Sequence, residues 1–402
     1  MLERSVDTLG FDKAKLRTWA EVDLDAIVHN FQLVRGLVGS SRKIMSVIKS
    51  DAYGHGAAAV AKRLIKEGTD YFAVADLDEA LELRQNGIDI PILILGYTDP
   101  RCASVLAKNK IEQTVFCKRY AKELSDSAAL QNCSVTVHIK ADTGMNRIGF
   151  ACQCEEIMED CANEIEEAVK YPCLSVKGIF THFAISDEPK KEFTKQQFER
   201  FIKLIHILEI RGVTFPLRHC ANSAAIINFP ETYLDMVRPG IMLYGLAPSP
   251  DSPYDKLKPA MTIKSTIAFI KTLKCGQTVS YGRTYCAEKD LKVAAIPIGY
   301  ADGYPTAMSS KGKVIVSGRR TSVLGRVCMD QMIVDISDID ASQGQTVTVM
   351  GTEGDETVSA DEIALIRGCI NYEVVCGVAR RIPRVYYENG NQVFSVNYLL
   401  KE

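Results

Sequence analysis

Between residues 43 and 245 the chain alternates short apolar runs with longer stretches whose apolar positions recur at helical spacing. The runs are 44–49 (IMSVIK), 71–75 (YFAVA), 91–96 (PILILG), 112–116 (EQTVF), 135–140 (VTVHIK), 176–183 (VKGIFTHF), 216–220 (PLRHC) and 234–238 (LDMVR). Helix-like segments such as 57–67, 77–86 and 193–211 lie between them. Strands alternating with helices predict a parallel sheet with crossover connections. Eight such units over this length predict an α/β fold, a TIM-like (β/α)8 barrel. A doubly wound open sheet is the competing arrangement, but no G-x-G-x-x-G follows the first run. A further strand candidate, Trp19–Asp23, exceeds the count of eight and is read as lying outside the barrel, attached to a second domain.

After Gly245 the texture changes. The stretch APSPDSPYDKLKP carries prolines and turn formers and reads as a linker. Beyond it come β-branched or period-two runs at 262–273, 292–298, 313–316, 332–336 and 345–350, separated by Gly276, Gly312, Gly318 and Gly351. These predict a mostly β C-terminal domain. The expected boundaries are an N-terminal segment 1–18 that could pair with the β domain, a barrel over 19–250 and the β domain over 256–402.

The bulk composition narrows the chemistry mainly by exclusion. The 402 residues are 47% hydrophobic and 24% charged, with a formal charge of −2, which gives no pull toward nucleic acid or an anionic membrane. The 13 cysteines and 6 histidines show no metal-ligand spacing, and no metal is expected. An odd number of cysteines in a long chain without a secretory leader reads as reduced thiols in a cytoplasmic protein. No apolar stretch is long enough to predict a membrane span.

In barrels the reactive groups gather at the C-terminal ends of strands and in the loops that follow. Those positions here hold Lys49 and Tyr53, Lys140 to Arg147, His182, Asn222-Ser223, and Arg238 to Ile241. Lys49 closes an apolar run and opens onto a glycine-rich turn, where lost hydration favours the neutral, nucleophilic amine. For a lone lysine, extension into solvent is the commoner role. The Asn222-Ser223 helix start and the Gly240 turn, after the last two strands, match the place where barrels hold phosphate, though a plain cap and turn would look alike. An imine-forming lysine together with a phosphate cradle points to pyridoxal 5′-phosphate, which supplies aldehyde, electron sink and phosphate anchor.

The segments VIKSDAYGHG (47–56), KADTGMNRIG (140–149), Asn222-Ser223, VRPGIMLYG (237–245), VSYG (279–282), Cys328-Met329-Asp330, Tyr372-Glu373 and RIPR (381–384) together resemble the alanine racemase family. They run in order over nearly the whole chain. The resemblance implies a pyridoxal-phosphate enzyme of fold type III, barrel plus β domain. It also implies a homodimer with shared active sites that interconverts L- and D-alanine for peptidoglycan synthesis. It makes Lys49 the cofactor lysine and the base on the D side, with Tyr281 of the partner subunit as the base on the L side. A free phenol ionises near ~10, so a tyrosine base needs a cationic setting. By resemblance His182 and Arg238 supply it, and Arg238 also faces the pyridine nitrogen. A guanidinium there leaves that nitrogen unprotonated and weakens the electron sink, which disfavours side reactions such as transamination. Tyr53, Asn222, Ser223, Gly240, Ile241 and Tyr372 would hold the cofactor, Arg147 would meet the substrate carboxylate or the cofactor ring oxygen, Met329 would contact the substrate, and Lys140 would be a site of carbamylation.

Two positions depart from the family pattern. Thr306 stands where arginine usually follows the GYADGYP motif, and Asn371 replaces a proline before Tyr372. Both concern the charge and shape of the substrate corridor. Open alternatives are a racemase for serine or another small amino acid, an amino-acid decarboxylase, and a non-catalytic pyridoxal-phosphate-binding barrel. Arg238 argues against the decarboxylase, and Tyr281 with Cys328-Met329-Asp330 against the non-catalytic barrel.

Overall fold

The computed structural model describes residues 15, 17–249 and 254–400. Residues 1–14 and 16 of the expected N-terminal segment, and 250–253 of the expected linker, lie outside the described residues. The chain divides into two compact units. One comprises Val28–Ala52 and Ala57–Leu257. The other joins the described residues up to Ile27 to Tyr53–Gly56 and to those from Lys258 onward.

In the first unit each of the eight expected runs becomes one strand: Lys43–Val47, Tyr71–Val74, Ile92–Ile94, Ile111–Val115, Val135–Asp142, Leu174–Phe180, Leu217–His219 and Met236–Val237. Neighbouring strands pair in parallel, and the last, Met236–Val237, pairs with the first. The remaining gap is bridged by two backbone hydrogen bonds, from Asp235 N–H to the Arg218 carbonyl (3.1 Å) and from Arg238 N–H to the Ala221 carbonyl (2.9 Å). The second, third and fourth strands are buried at every position, which is why they read as apolar runs without alternation. Helices such as Ala57–Lys66 turn Val60, Ala61 and Leu64 inward. Helix Leu77–Gln85 starts where the Asp76 carboxylate accepts the Glu79 N–H at 3.0 Å.

The second unit is mostly β. Its principal sheet runs, in spatial order, Phe269–Leu273, Leu291–Ile296, Met332–Asp335, Arg319–Leu324, Lys313–Val316, Thr346–Glu353, Met261–Thr266, Thr18–Asp23, Arg384–Glu388 and Asn391–Val396. Thr18–Asp23 lies antiparallel to Met261–Thr266 and parallel to Arg384–Glu388, with Trp19 packed on Val385. This strand satisfies its backbone in the β unit's sheet, and the barrel unit begins at Val28. The run 262–273 divides into two strands at Ile267-Ala268. Three strands lacked a clear period in the sequence. Arg319–Leu324 opens with two exposed arginines, Arg384 is a buried cation, and Asn391–Val396 is a polar edge strand. Among the described residues no helix is long and apolar enough to cross a membrane.

Candidate active site

The first barrel strand ends at Val47, and Lys49 follows it, half-buried, as the first residue of a tight turn rather than the last of a strand. Ser50, Asp51, Ala52 and Tyr53 all carry φ between 52° and 55°. A left-handed turn built from L-residues costs roughly 1–2 kcal/mol per residue, so other contacts must hold it. Ser50 N–H donates to Glu79 Oε1 (2.6 Å), whose other oxygen accepts from Ala75 N–H (2.7 Å). Asp51 Oδ1 accepts the Ala57 N–H at 2.8 Å. Burial raises the Glu79 pKa against the pull of these donors. Sequence reasoning missed Glu79, because an acidic residue in the first turn of a helix is ordinary there. The Glu79→Ala variant is expected to lose about 1–3 kcal/mol of stability in urea unfolding, with Glu79→Gln losing less because one acceptor oxygen remains.

Cations crowd the C-terminal mouth of the barrel. Lys140, near the end of the fifth strand, is 4% exposed and lies 5.7 Å from the Phe180 ring centroid. Burial, then the charges of Arg147 and Arg238, lower its pKa to about 8, while Asp142 opposes them and Lys49 adds to them. Arg147 itself is exposed, in a loop pinned where Asp142 Oδ1 accepts the N–H groups of Gly144 and Asn146, each at 3.0 Å. Arg238 follows the last strand and is buried. Its Nη1 donates to His219 Nδ1 (2.9 Å), and its Nη2 to the carbonyls of Thr181 (2.8 Å) and Cys220 (3.1 Å), with His182 Nδ1 at 3.4 Å. Burial lowers its pKa to about 10. Burial and then Arg238 hold His182 well below the ordinary imidazole range, with Arg147, Lys140 and Lys49 adding to the effect. Four positive side chains, Lys49, Lys140, Arg147 and Arg238, outnumber the carboxylates of Asp142 and Glu79 near them and make a mouth suited to anions.

His219 is depressed in the same way, by burial first and then by the charge of Arg238. In the unfolded chain both imidazoles take up protons near their ordinary value of 6.5, and in the folded chain they do not. Stability is therefore expected to fall as pH drops below that value, by about 1.4 kcal/mol per pH unit for each imidazole. Urea unfolding between neutral pH and about pH 5 measures it, and His219→Asn should reduce the slope by one proton's share.

The last two loops of the barrel meet at Ser223. Asn222 caps helix Ser223–Asn228, its Oδ1 accepting from Ala225 N–H (2.9 Å) and from the Ser186 hydroxyl (3.0 Å). Ser223 Oγ accepts the N–H of Gly240 at 2.8 Å and that of Met242 at 3.5 Å. Ser223, Gly240 and Ile241 are buried. Buried backbone donors converging on a hydroxyl, beside a cationic mouth, fit a phosphate group. Asn222 is committed to shaping this cradle, since its oxygen already serves two donors.

The remaining expected residues lie in the second unit. Tyr53 and Tyr372 are neighbours there, ring centroids 6.0 Å apart. The Gly54 carbonyl accepts from buried Arg384 Nε at 2.9 Å. Gly54 has φ of 81°, and a Cβ on it would run into the Val375 carbonyl. Tyr281 sits in the turn closing the hairpin of Thr278–Val279 and Tyr285–Cys286, 71% exposed. Ser280 Oγ ties that turn to the Arg326 carbonyl at 2.7 Å and lies 3.2 Å from Cys328 Sγ. Met329 is 52% exposed, and its carbonyl is engaged by Ala301 N–H at 3.0 Å. Thr306 is exposed. Asn371 opens helix Asn371–Cys376 and donates to Asp361 Oδ1 at 2.7 Å.

Residues 22–248 match the family model for the alanine racemase N-terminal domain, and residues 260–386 the model for its C-terminal domain. The chain belongs to the alanine racemase family. Among curated relatives, an alanine racemase of Clostridium perfringens is 46% identical over 384 residues, covering 95% of this chain and 98% of that protein. Among solved structures, an alanine racemase from Clostridium difficile 630 aligns with TM-score 0.90 at 43% identity, over 96% of this chain and 99% of that one. A histidine racemase from Leuconostoc mesenteroides subsp. sake aligns with TM-score 0.84 at 32% identity, over 92% of this chain and 98% of that one. As a member of the alanine racemase family this chain is an isomerase, and its reaction is the racemisation of alanine.

Proposed function

We propose that the chain racemises alanine with pyridoxal phosphate by a two-base mechanism, as a homodimer whose active sites each draw on both subunits. The supporting observation is the barrel mouth, where the amine of Lys49 shares one cationic cluster with Lys140, Arg147 and Arg238 beside the Ser223 and Gly240 cradle. Ser223, Gly240 and Ile241 would hold the phosphate, with Tyr53 and Tyr372 contributing hydroxyls. Lys49 would tether the cofactor, and Arg238 would face its ring nitrogen. When bound, the cofactor supplies an electron sink that acidifies the α-hydrogen of the amino acid.

Inversion requires a proton-carrying group on each face of the α-carbon. Lys49 Nζ takes the α-proton of D-alanine, and Tyr281 Oη–H of the partner subunit delivers one to the opposite face, giving L-alanine. The reverse direction exchanges the two roles. Arg147 receives the substrate carboxylate, and Met329 of the partner subunit lines the same side. The exposure of Tyr281 and Met329 accords with surfaces that another subunit covers. Lys140, a depressed amine among cations, adds carbon dioxide and releases a proton to become a carbamate, which turns a like charge into a partner for Arg147. D-alanine made in the cytoplasm then feeds peptidoglycan synthesis.

The test is direct. The purified chain, incubated with the cofactor and a single alanine enantiomer, should yield racemate by chiral chromatography. Borohydride should fix the cofactor's mass on the Lys49 peptide. No racemate, or label on another lysine, overturns the reading. A racemase acting on other amino acids as well is a second reading, favoured by the structural likeness to a histidine racemase and by the exposed Thr306 where the family usually has arginine. Rates across a panel of L-amino acids separate the two.

A further inference from the structure

The barrel interior holds a row of polar groups that neither the cradle nor the proposed proton transfers use. From Arg238 Nη1 it runs to His219 Nδ1 (2.9 Å), from His219 Nε2 to His138 Nδ1 (3.0 Å), and from His138 Nε2 to Glu112 Oε2 (2.9 Å). Glu112 Oε1 ends the row on Lys177 Nζ at 2.6 Å. His219, His138 and Glu112 are 0%, 0% and 5% exposed. Arg238 follows the last strand at the barrel's C-terminal mouth, whereas Glu112 is the second residue of strand Ile111–Val115, at the opposite end. Among the described residues no carboxylate lies within ion-pair distance of Arg238; its acceptors are carbonyls and imidazoles.

The direction of every hydrogen bond in this row is forced. A guanidinium only donates, so His219 Nδ1 is bare and its proton sits on Nε2. That proton faces His138 Nδ1, which must also be bare, and the His138 proton sits on Nε2. It faces Glu112, which must accept. Burial alone would raise the Glu112 carboxyl, but the hydrogen bond from His138 and the hydrogen bond and charge of Lys177 hold its pKa below the ordinary value. Two features of the backbone make room for the row. A Cβ at Gly178 would stand 2.5 Å from His138 Nδ1 and 2.7 Å from its Cε1. The pairing of the fifth and sixth strands also shifts register between Val137 and His138. Phe180 stacks on His219, centroids 4.9 Å apart at 5°, which fixes that ring's plane.

We propose that Glu112, His138 and His219 form a one-way hydrogen-bond relay that fixes the tautomer of His219 and, through it, the orientation of Arg238. In this arrangement Glu112, at the far end of the barrel, is a positioning residue for the guanidinium. The relay stands on the barrel geometry. Its consequence for catalysis rests on the preceding reading, in which Arg238 faces the cofactor ring. With Glu112 or His138 gone, His219 can place its proton on Nδ1, where it meets a donor, and Arg238 loses one of its fixed acceptors.

Nitrogen-15 imidazole NMR on the full chain, with and without cofactor, reads the tautomers. His138 and His219 should both be neutral Nε2–H forms. In His138→Leu and in Gly178→Ala, which keeps every polar group, His219 should populate both forms. Losing one hydrogen bond to a charged group corresponds to roughly tenfold, expected as weaker cofactor binding by fluorescence titration and a lower kcat. KM for alanine should stay within about twofold. Glu112→Gln, which keeps an acceptor, should restore most of the loss seen in Glu112→Leu. A wild-type His219 protonated on Nδ1 overturns the relay, as does a Glu112→Leu protein with unchanged His219 tautomer and cofactor affinity. Because the tautomers are read without cofactor, a chain that never binds it overturns the preceding reading and leaves the relay supported.

Discussion

Tyr281→Phe is expected to abolish racemisation in both directions, lowering kcat by about 10²–10⁴-fold, the range for losing a positioned general acid or base. The informative measurement is hydrogen exchange at the α-carbon in deuterated water. With only Lys49 left to move protons, D-alanine should still exchange its α-hydrogen and return as deuterated D-alanine, whereas L-alanine should be inert. The variant removes one hydroxyl from a residue that is 71% exposed and whose turn is held through Ser280, so folding should be unaffected. Racemisation at the wild-type rate, or equal exchange from both enantiomers, would mean that Tyr281 is not the second base.

Lys49→Ala should have the complementary and larger effect. It removes both the tether for the cofactor and the base on the D face, so turnover should fall to the detection limit. Any residual α-hydrogen exchange should come from L-alanine alone. Adding methylamine, a small soluble base, should recover a fraction of D-alanine exchange. The same variant removes a cation that lowers the pKa of Lys140 and His182, so both should rise slightly by NMR. A Lys49→Ala protein that keeps its racemase rate would overturn the assignment of every other group at the barrel mouth.

Much of this site was legible in the chain because barrel chemistry sits where strands end, and strand ends are marked by where an apolar run stops. Lys140, His182 and Arg238 could be found in that way. Glu79 could not. Its role is to accept the Ser50 N–H from another segment, and no local pattern distinguishes it from an ordinary helix-start acid. The left-handed path of Ser50 to Tyr53 was equally hidden, since only Asp51 among those residues is enriched at positive φ and the acceptor that holds Ser50 N–H, Glu79, lies in another segment. His138 and Glu112 looked like polar interruptions in two apolar runs. They make sense only beside each other and beside Gly178.

The order of apolar runs by itself determined the eight barrel strands, the change to a β unit after Gly245 and the positions where reactive groups emerge, because period and run length are local properties of burial. Tertiary structure alone decided which strands flank the Trp19 strand, what holds Lys49 in its turn, and which way the protons point from Arg238 to Glu112. Each of those depends on partners far apart in the chain: Thr18–Asp23 lies between Met261–Thr266 and Arg384–Glu388. A hydrogen bond has a direction only when both of its ends are known.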